Sequence, residues 1–579
     1  MSQPTPAIVA QAAVRRLPRV ALILLCAAYL MPGLVGRGPW KNADVAAFGY
    51  MAELARSTEG AARWFDPLLF GLRPESPALL PYWIGAWAIK LAPAWINPDL
   101  AVRFVFALLL WGTFTATWYA VYFLARTPRA QPVAFAFGGE AQPADYARAI
   151  ADGALLALMA TLGLLQLGHE TTPALAQLFF TASLFYGIAA LPYRPIGALA
   201  ALVLGAVGMT LSGAPTLALI LCAGCALFLL WDRKQSRSGD ERDPQAEGNA
   251  YPLYALLAII VVGVLAGSLA TSYGLIRWHI VLPGTSASSS LSKDLRSQVK
   301  LLLWFPWPAW PLAGWTLWRW RRQLNARHVI LPLWFVLVPL AATLTTDFSD
   351  RSLLLSLPAF ATLAAFALPT FRRSVAALLD WLTLLTFTTC AIFIWLYWIS
   401  LQTGIPPKPA ANVARLAPGF VPSFSATAFV FALAATVAWF WLVRWRTGRH
   451  QAALWKTLVL PAGGTALCWM LVMTLWLPVL DYARSYAPQV QMISQRVGNT
   501  PCLSELGLQR PQLAALLHHG HFELRPLTGT NDCRWLLVNP EVIGRLQSLI
   551  DLNQWRFDGT LRRPSSDTDD LLLYQRIAP

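Results

Sequence analysis

The chain has 579 residues, of which 56% are hydrophobic and only 13% are charged, whereas ordinary soluble domains carry about 25% charged residues. With 27 Trp as well, this composition excludes a soluble globular enzyme and describes a polytopic membrane protein. The formal net charge is +16, but residues 480–579 hold ten Arg, no Lys and ten acidic residues, so the basic excess lies upstream, where it marks cytoplasmic loops rather than a nucleic-acid site.

Arg15, Arg16 and Arg19 flank the start of the first apolar run. They predict a cytoplasmic N-terminus (1–17) and, with no small-x-small cleavage site following, an uncleaved first span over 18–36. Residues 37–100 then form one large outer loop. Its first stretch, PWKNADVAAFGYMAEL (39–54), predicts an amphipathic helix over 43–57. Val45, Phe48, Met51, Ala52 and Ala55 share one face, Asn42 is the N-cap, and Asp44 falls in the first turn. Asp44 has two readings. It complements the helix dipole, or it is a carboxylate held at the outer membrane surface and aimed at a lipid headgroup.

Further along the same loop, FDPLLFGLRPESPALLPYW (65–83) places Asp66, Arg73 and Glu75 ahead of Tyr82; Arg is well suited to a phosphate. Residues 77–96 are apolar enough to cross, but they hold three Pro and Lys90. Counting them as a span would turn the Arg-rich loops outward. They are expected to lie in the interface instead, with Trp83, Trp87 and Trp95 at headgroup level.

Spans of about 20 apolar residues follow at 101–125, 150–167, 173–191, 195–212, 214–231, 252–271, 299–318, 329–346, 353–370, 375–400, 424–443 and 456–478, about thirteen in all with the first. The basic stretches 126–149, 232–244, 319–328 and 444–450, with Arg194, Arg372 and Arg373, alternate as inside loops. The odd count sends the tail, 480–579, outside.

Three outer links carry ionisable groups. LGHETTP (167–173) holds His169 and Glu170, either a solvated turn or a second acidic site meeting Asp44. LIRWHIVLPG (275–284) holds Arg277 and His279. TTDFSDRSLLLSLPAFA (345–361) holds Asp347, Asp350 and Arg351. The span interiors are nearly free of charge. A flippase or transporter is the competing class, but transporters place ionisable groups near the midplane and no such set is present; a surface-glycan polymerase or ligase acting through the late loop near 401–424 is a third.

Cys222 and Cys225 form a CxxC inside a span and read as packing. Cys502 and Cys533, the only Cys of the tail, would form a disulfide in an oxidising compartment. Runs such as RWLLV, LLLYQRI and PQLAALL predict a small α/β domain there. HHGHF (518–522) has no acid or Cys at ligand spacing and reads as a surface cluster. No phosphate-cradling glycine loop, nucleophile elbow or zinc signature is present.

The order of first span, WKNAD–VAAFGYMAEL and WFDPLLFGLRPESPALLPYW resembles the start of the GT-C membrane glycosyltransferases. The nearest branch is the bacterial aminoarabinose-transferase and protein-mannosyltransferase-like family. GMTLSGAP (208–215) and DRSLLLSLPAFATLAAFAL (350–368) resemble two further segments of that family. The likeness covers residues 18–480.

It implies an all-α polytopic protein of GT-C type, with a transmembrane domain over 18–479 and interfacial helices in a first periplasmic loop (37–100). A small periplasmic α/β domain over 480–579 would complete it, in a bacterial inner membrane. It implies transfer of a sugar from a polyprenyl-phosphate donor to a lipid (lipid A-like), glycan or protein acceptor. Asp44 would be the catalytic carboxylate and His169–Glu170 the second site, with Arg73, Glu75, Arg277, Arg351 and Tyr82 against the substrate. A divalent metal ion on Asp44 and Glu170 is a further expectation. The family's phosphate-binding Lys is replaced by Ser76 before Pro77, and Ser212 stands where the family often has another Lys, which shifts phosphate binding to Arg73, Arg351, Arg277 or that metal.

Overall fold

The computed structural model describes residues 5–57, 60, 62–238, 253–276, 291–345, 350–448, 453–498, 502–527, 533–544, 546, 551, 554–564 and 566–577. It is a helical body with a small sheet domain at its C-terminal end. The helices opening the chain are α1 (Arg19–Leu30), α2 (Asn42–Arg56), α3 (Ala62–Phe65), α4 (Leu80–Leu91), α5 (Pro98–Ala125), α6 (Pro143–Ala160), α7 (Leu162–Leu167), α8 (Pro173–Ala190) and α9 (Pro195–Leu211). Proline opens α5, α6, α8 and α9, and also the helix starting at Pro215. At that position its missing N–H costs nothing and its fixed φ suits the first turn.

Among the described residues, eight helices are long and apolar enough to cross a membrane. The other expected spans are shorter or interrupted. Arg19–Leu30 has 12 residues and Pro195–Leu211 has 17. The 150–167 segment breaks at Thr161 into α6 and α7. The 299–318 segment breaks between Leu291–Trp304 and Ala309–Arg319, where Pro306 and Pro308 cannot continue a helix. The 353–370 segment is interrupted between Leu354 and Leu357. A count of apolar residues does not see such breaks.

Two of the breaks satisfy each other. The N–H of Leu162 donates to the carbonyl of Trp307 at 3.0 Å, and that of Gly163 to the carbonyl of Phe305 at 2.8 Å. Backbone polar groups freed inside an apolar bundle must find such partners. A Cβ on Gly163 would lie 2.4 Å from the Phe305 ring, so glycine allows the two chains to approach. Helix α4, with 12 residues, is about 18 Å long, well short of the roughly 30 Å apolar core of a bilayer.

Stretches of basic character gather at one end of the bundle. Gln11 and Arg16 bond Asp145, Asp232 pairs bidentately with Arg327, Asp380 does so with Arg446, and Trp455 bonds the carbonyl of Arg15. Helices α2 and α4, the α7–α8 link and the C-terminal domain occupy the other end.

The C-terminal domain is a five-stranded sheet of order β2-β1-β3-β5-β4, with β1 Cys502–Leu506, β2 Glu523–Pro526, β3 Trp535–Val538, β4 Trp555–Arg563 and β5 Ser566–Arg576. Strand β1 runs parallel to β2 and β3, and β5 runs antiparallel to β3 and β4. A disulfide joins Cys502 to Cys533. Strand β3 is buried on both faces. Trp535 and Leu537 join the main core, whereas Leu536 and Val538 close a separate cluster with Leu546, Trp555 and Leu572. The period of two along the strand thus seats one sheet face on the helical body. Below it, the helix Arg510–Ala515 packs on α2 so closely that a Cβ on Gly49 would lie 2.5 Å from that of Ala514.

Candidate active site

The first turn of α2 carries the site. Lys41 is its N-cap residue and makes no capping bond with its side chain. Asn42, expected as the cap, is the first helical residue instead, and its amide is taken by the C-terminal domain. The Tyr486 hydroxyl and an Arg563 N–H donate to its Oδ1 at 3.0 and 3.2 Å. Those partners outcompete the local backbone donors a cap would serve.

Asp44 is buried. Its Oδ1 accepts from the backbone N–H of Thr171 at 2.7 Å and from the Thr171 hydroxyl at 2.6 Å. Complementing the helix dipole needs no such partner 127 residues away in sequence. The carboxylate joins α2 to the α7–α8 link, where Glu170 is also buried. Lys41 Nζ lies 2.6 Å from Glu170 Oε1, and Arg351 lies 3.8 Å from Oε2. Burial, reinforced by the neighbouring Asp44 charge, pushes the Glu170 carboxyl above its ordinary range, and Lys41 opposes that shift. The two acidic groups therefore sit in unlike environments, one held by hydroxyl and amide, the other by cations.

His169 turns away from both. Its Nε2 meets the Tyr29 carbonyl at 3.0 Å and its ring packs against Trp469 and Tyr29. Burial, with Arg37 nearby, lowers it to about 4, so the imidazole is neutral at ordinary pH. Arg37 donates to the His169 carbonyl and holds the link from behind. Gly38 N–H and Trp40 Nε1–H both donate to Asp481 Oδ1 at 2.8 Å, which fastens the loop entering α2.

In front of these groups lies a cavity of about 1090 Å³. Lys41, Tyr50, Glu75, Tyr82, Arg351 and Arg510 line it. Neither Asp44 nor Glu170 lines it; their chain neighbours Lys41, Asn42, Ala43 and Thr172 do. Glu75 is ion-paired with Arg510 at 3.1 Å, and Ser76 also faces the cavity.

The structure thus brings Asp44, Glu170, Glu75, Tyr82 and Arg351 to one place. It does not bring Arg73, whose side chain is 69% exposed and pairs with Asp66 at 2.9 Å, while its carbonyl accepts from Arg510. Arg277, His279 and Asp347 lie outside the described residues. His518, expected at the surface, packs edge-on against Phe48 of α2.

Sequence reasoning missed Lys41, Thr171 and Arg510. Lys41 sits within the stretch that signalled Asp44, but a Lys at a membrane surface ordinarily snorkels to water, and nothing in its spacing marks it as an acid's partner. The donor set does not fit a resident divalent ion. Such ions take several oxygen ligands, whereas Glu170 is met by Lys41 and Arg351 and Asp44 Oδ1 by two donors. Among the described residues no group of three His, Cys, Asp or Glu could hold a metal.

Amphipathic helices inserted after the first apolar helix, a bundle with broken members, and a terminal sheet domain over a cavity at that end give this chain the GT-C fold of membrane glycosyltransferases. Two solved structures share it. The chain superposes on ArnT, the aminoarabinose transferase, from Cupriavidus metallidurans bound to undecaprenyl phosphate with a TM-score of 0.60 and 14% identity over 97% of this chain and 98% of that one. The same protein in its apo state gives a TM-score of 0.55 at 14% identity, over 96% of each chain. No protein-family model matches the sequence, and no curated protein sequence matches it.

Proposed function

We propose that this protein is a glycosyltransferase that moves a sugar from a polyprenyl-phosphate donor to a lipid, glycan or protein acceptor at the periplasmic face of a bacterial inner membrane. The reading is supported by one observation above the others: a buried carboxylate, Asp44, lies in the same helix turn as Lys41, Asn42 and Ala43, which line a large cavity that also carries Arg351 and Arg510. The undecaprenyl phosphate held by the structurally similar ArnT supports a donor of that class.

In this reading the cations receive the donor phosphate at the headgroup level, where the cleavable bond lies. Asp44 deprotonates or orients the acceptor hydroxyl. The hydroxyl oxygen forms a bond to the anomeric carbon as the bond to the phosphate oxygen breaks. Polyprenyl phosphate leaves, its charge neutralised by Lys41 and Arg351. A single displacement inverts the anomeric centre. Lys41 is suited to this because its side chain is 35% exposed, so its ammonium can exchange the Glu170 carboxylate for the phosphate.

The test is to supply the purified protein in lipid with a panel of radiolabelled polyprenyl-phosphate sugars and total envelope lipid, and to follow free polyprenyl phosphate. Acceptor-dependent release establishes transfer and names the sugar. No release from any donor, with the protein folded, refutes the reading and favours transport.

A further inference from the structure

We propose that the C-terminal sheet domain fixes the geometry of the site through one buried guanidinium, and that Arg563 is the positioning residue for the Lys41–Asp44 turn. The inference rests on the catalytic reading of Asp44. Arg563 ends β4, an edge strand of the sheet. It is buried, as is its partner Asp569 on β5, with Nη1 2.8 Å from Asp569 Oδ2.

Its remaining donors do not serve the sheet. Nη1 also donates to Asn42 Oδ1 at 3.2 Å, and Nη2 donates to the Trp40 carbonyl at 2.8 Å and to that of Arg484. Asn42 Nδ2 reaches Asp569 Oδ1 at 3.4 Å, and the guanidinium lies 4.0 Å from the Tyr486 ring centre. Residues 40 and 42 are therefore both held by one side chain from more than 500 residues away. Lys41 lies between them, and Asp44 lies half a turn further on. The N-terminus of α2 has no side-chain cap of its own; the guanidinium, a donor only, does not cap it but fixes the segment through Trp40 and Asn42.

A buried ion pair is weak evidence of added stability, since a well-packed apolar pair often does as well. The domain is held in other ways. The Trp535–Leu537 face joins the main core, the Arg510–Ala515 helix packs on Gly49, and Gln489 bonds the carbonyls of Leu561 and Asp569. What the guanidinium adds is the position of the turn.

The experiment uses the full chain in nanodiscs. Arg563→Met with Asp569→Leu removes both charges together, and Arg563→Lys keeps the charge but loses the fork. Backbone hydrogen exchange over residues 38–46 is compared with that of the rest of the chain, beside kcat and the donor KM. The expected result for both variants is exchange in that turn faster by about tenfold or more, and kcat down by roughly tenfold to a hundredfold with donor KM within about threefold. Free guanidinium at sub-denaturing concentration should restore part of the kcat of Arg563→Ala. Unchanged exchange at 38–46, or acceleration spread evenly over the whole C-terminal domain, overturns the proposal. If wild-type protein releases no polyprenyl phosphate the catalytic reading fails by itself, and the exchange pattern still decides whether Arg563 holds the turn.

Discussion

Replacing Asp44 by Asn separates charge from geometry at the proposed reacting centre. Both bonds to Asp44 arrive at Oδ1, from the N–H and hydroxyl of Thr171. An amide oxygen can accept both, so α2 stays tied to the α7–α8 link. What is lost is the negative charge and the ability to take a proton. Bonds to a charged acceptor contribute about 1.5–3 kcal/mol each and neutral ones about 1, so the folded state loses about 1–4 kcal/mol. A positioned general base contributes roughly 10²–10⁴ in rate, or about 3–5 kcal/mol of barrier at 1.36 kcal/mol per decade. Polyprenyl phosphate release by Asp44→Asn should therefore fall by about a hundredfold or more, with donor binding retained. Thr171→Val keeps the backbone donor and the charge, and should fall by only about tenfold. The assay is single-turnover release of radiolabelled polyprenyl phosphate, with a thermal melt of each variant beside it. If Asp44→Asn keeps a third of wild-type activity while folded, Asp44 has no catalytic role. If Thr171→Val is the more damaging of the two, the carboxylate serves only to tie two elements together.

Lys41→Met removes the cation nearest Glu170 and one wall of the cavity. Donor KM should rise by about tenfold or more, and Arg351→Met should add to it, whereas Arg73→Met should leave KM unchanged; titration of donor against initial rate reads all three. For His169, the folded value of about 4 lies below the ordinary value near 6.5. The unfolded chain therefore binds the extra proton between those values, and stability falls as pH drops from 6.5 to 4. The loss is on the order of 3 kcal/mol. His169→Gln should flatten that part of the melting-temperature profile relative to wild type, a comparison that cancels the similar contribution of His518. Opening the Cys502–Cys533 bridge, whose ends are 31 residues apart, should destabilise the C-terminal domain by about 4 kcal/mol, read as faster proteolysis of Cys502→Ser within residues 502–577.

The elements legible in the sequence were those set by local composition. Runs of about 20 apolar residues gave the long helices, Pro marked their first turns, and basic stretches marked one end of the bundle. The charge alternation of the later loops kept 77–96 from being read as a span, and α4, with 12 residues, is too short to cross. Asp44 and Glu170 were legible because an acid beside an apolar run is conspicuous. What was not legible depends on partners far along the chain. The breaks at Thr161 and at Pro306–Pro308 satisfy one another, yet each alone looks like continuous apolar sequence. Thr171 is an ordinary turn residue until Asp44 arrives. Asn42 is a good cap by type, but Tyr486 and Arg563 claim it first.

These long-range ties have a common direction. The α7–α8 link reaches Asp44 through Thr171 and Lys41 through Glu170. Asp481, just beyond the last membrane helix, holds Gly38 and Trp40. Arg563, at the far end of the chain, holds Trp40 and Asn42. Three parts of the sequence thus converge on residues 38–44, a segment with little to order it by itself, since its helix lacks a cap and its flanking loop carries three glycines, Gly33, Gly36 and Gly38. A turn that only had to connect a membrane helix to a surface helix would need none of this. Over-determination of so short a segment is what a site requires when a carboxylate and an ammonium of the same turn must meet opposite ends of one reaction, the attacking hydroxyl and the departing phosphate. A misplacement of about 1 Å can cost a hundredfold in rate.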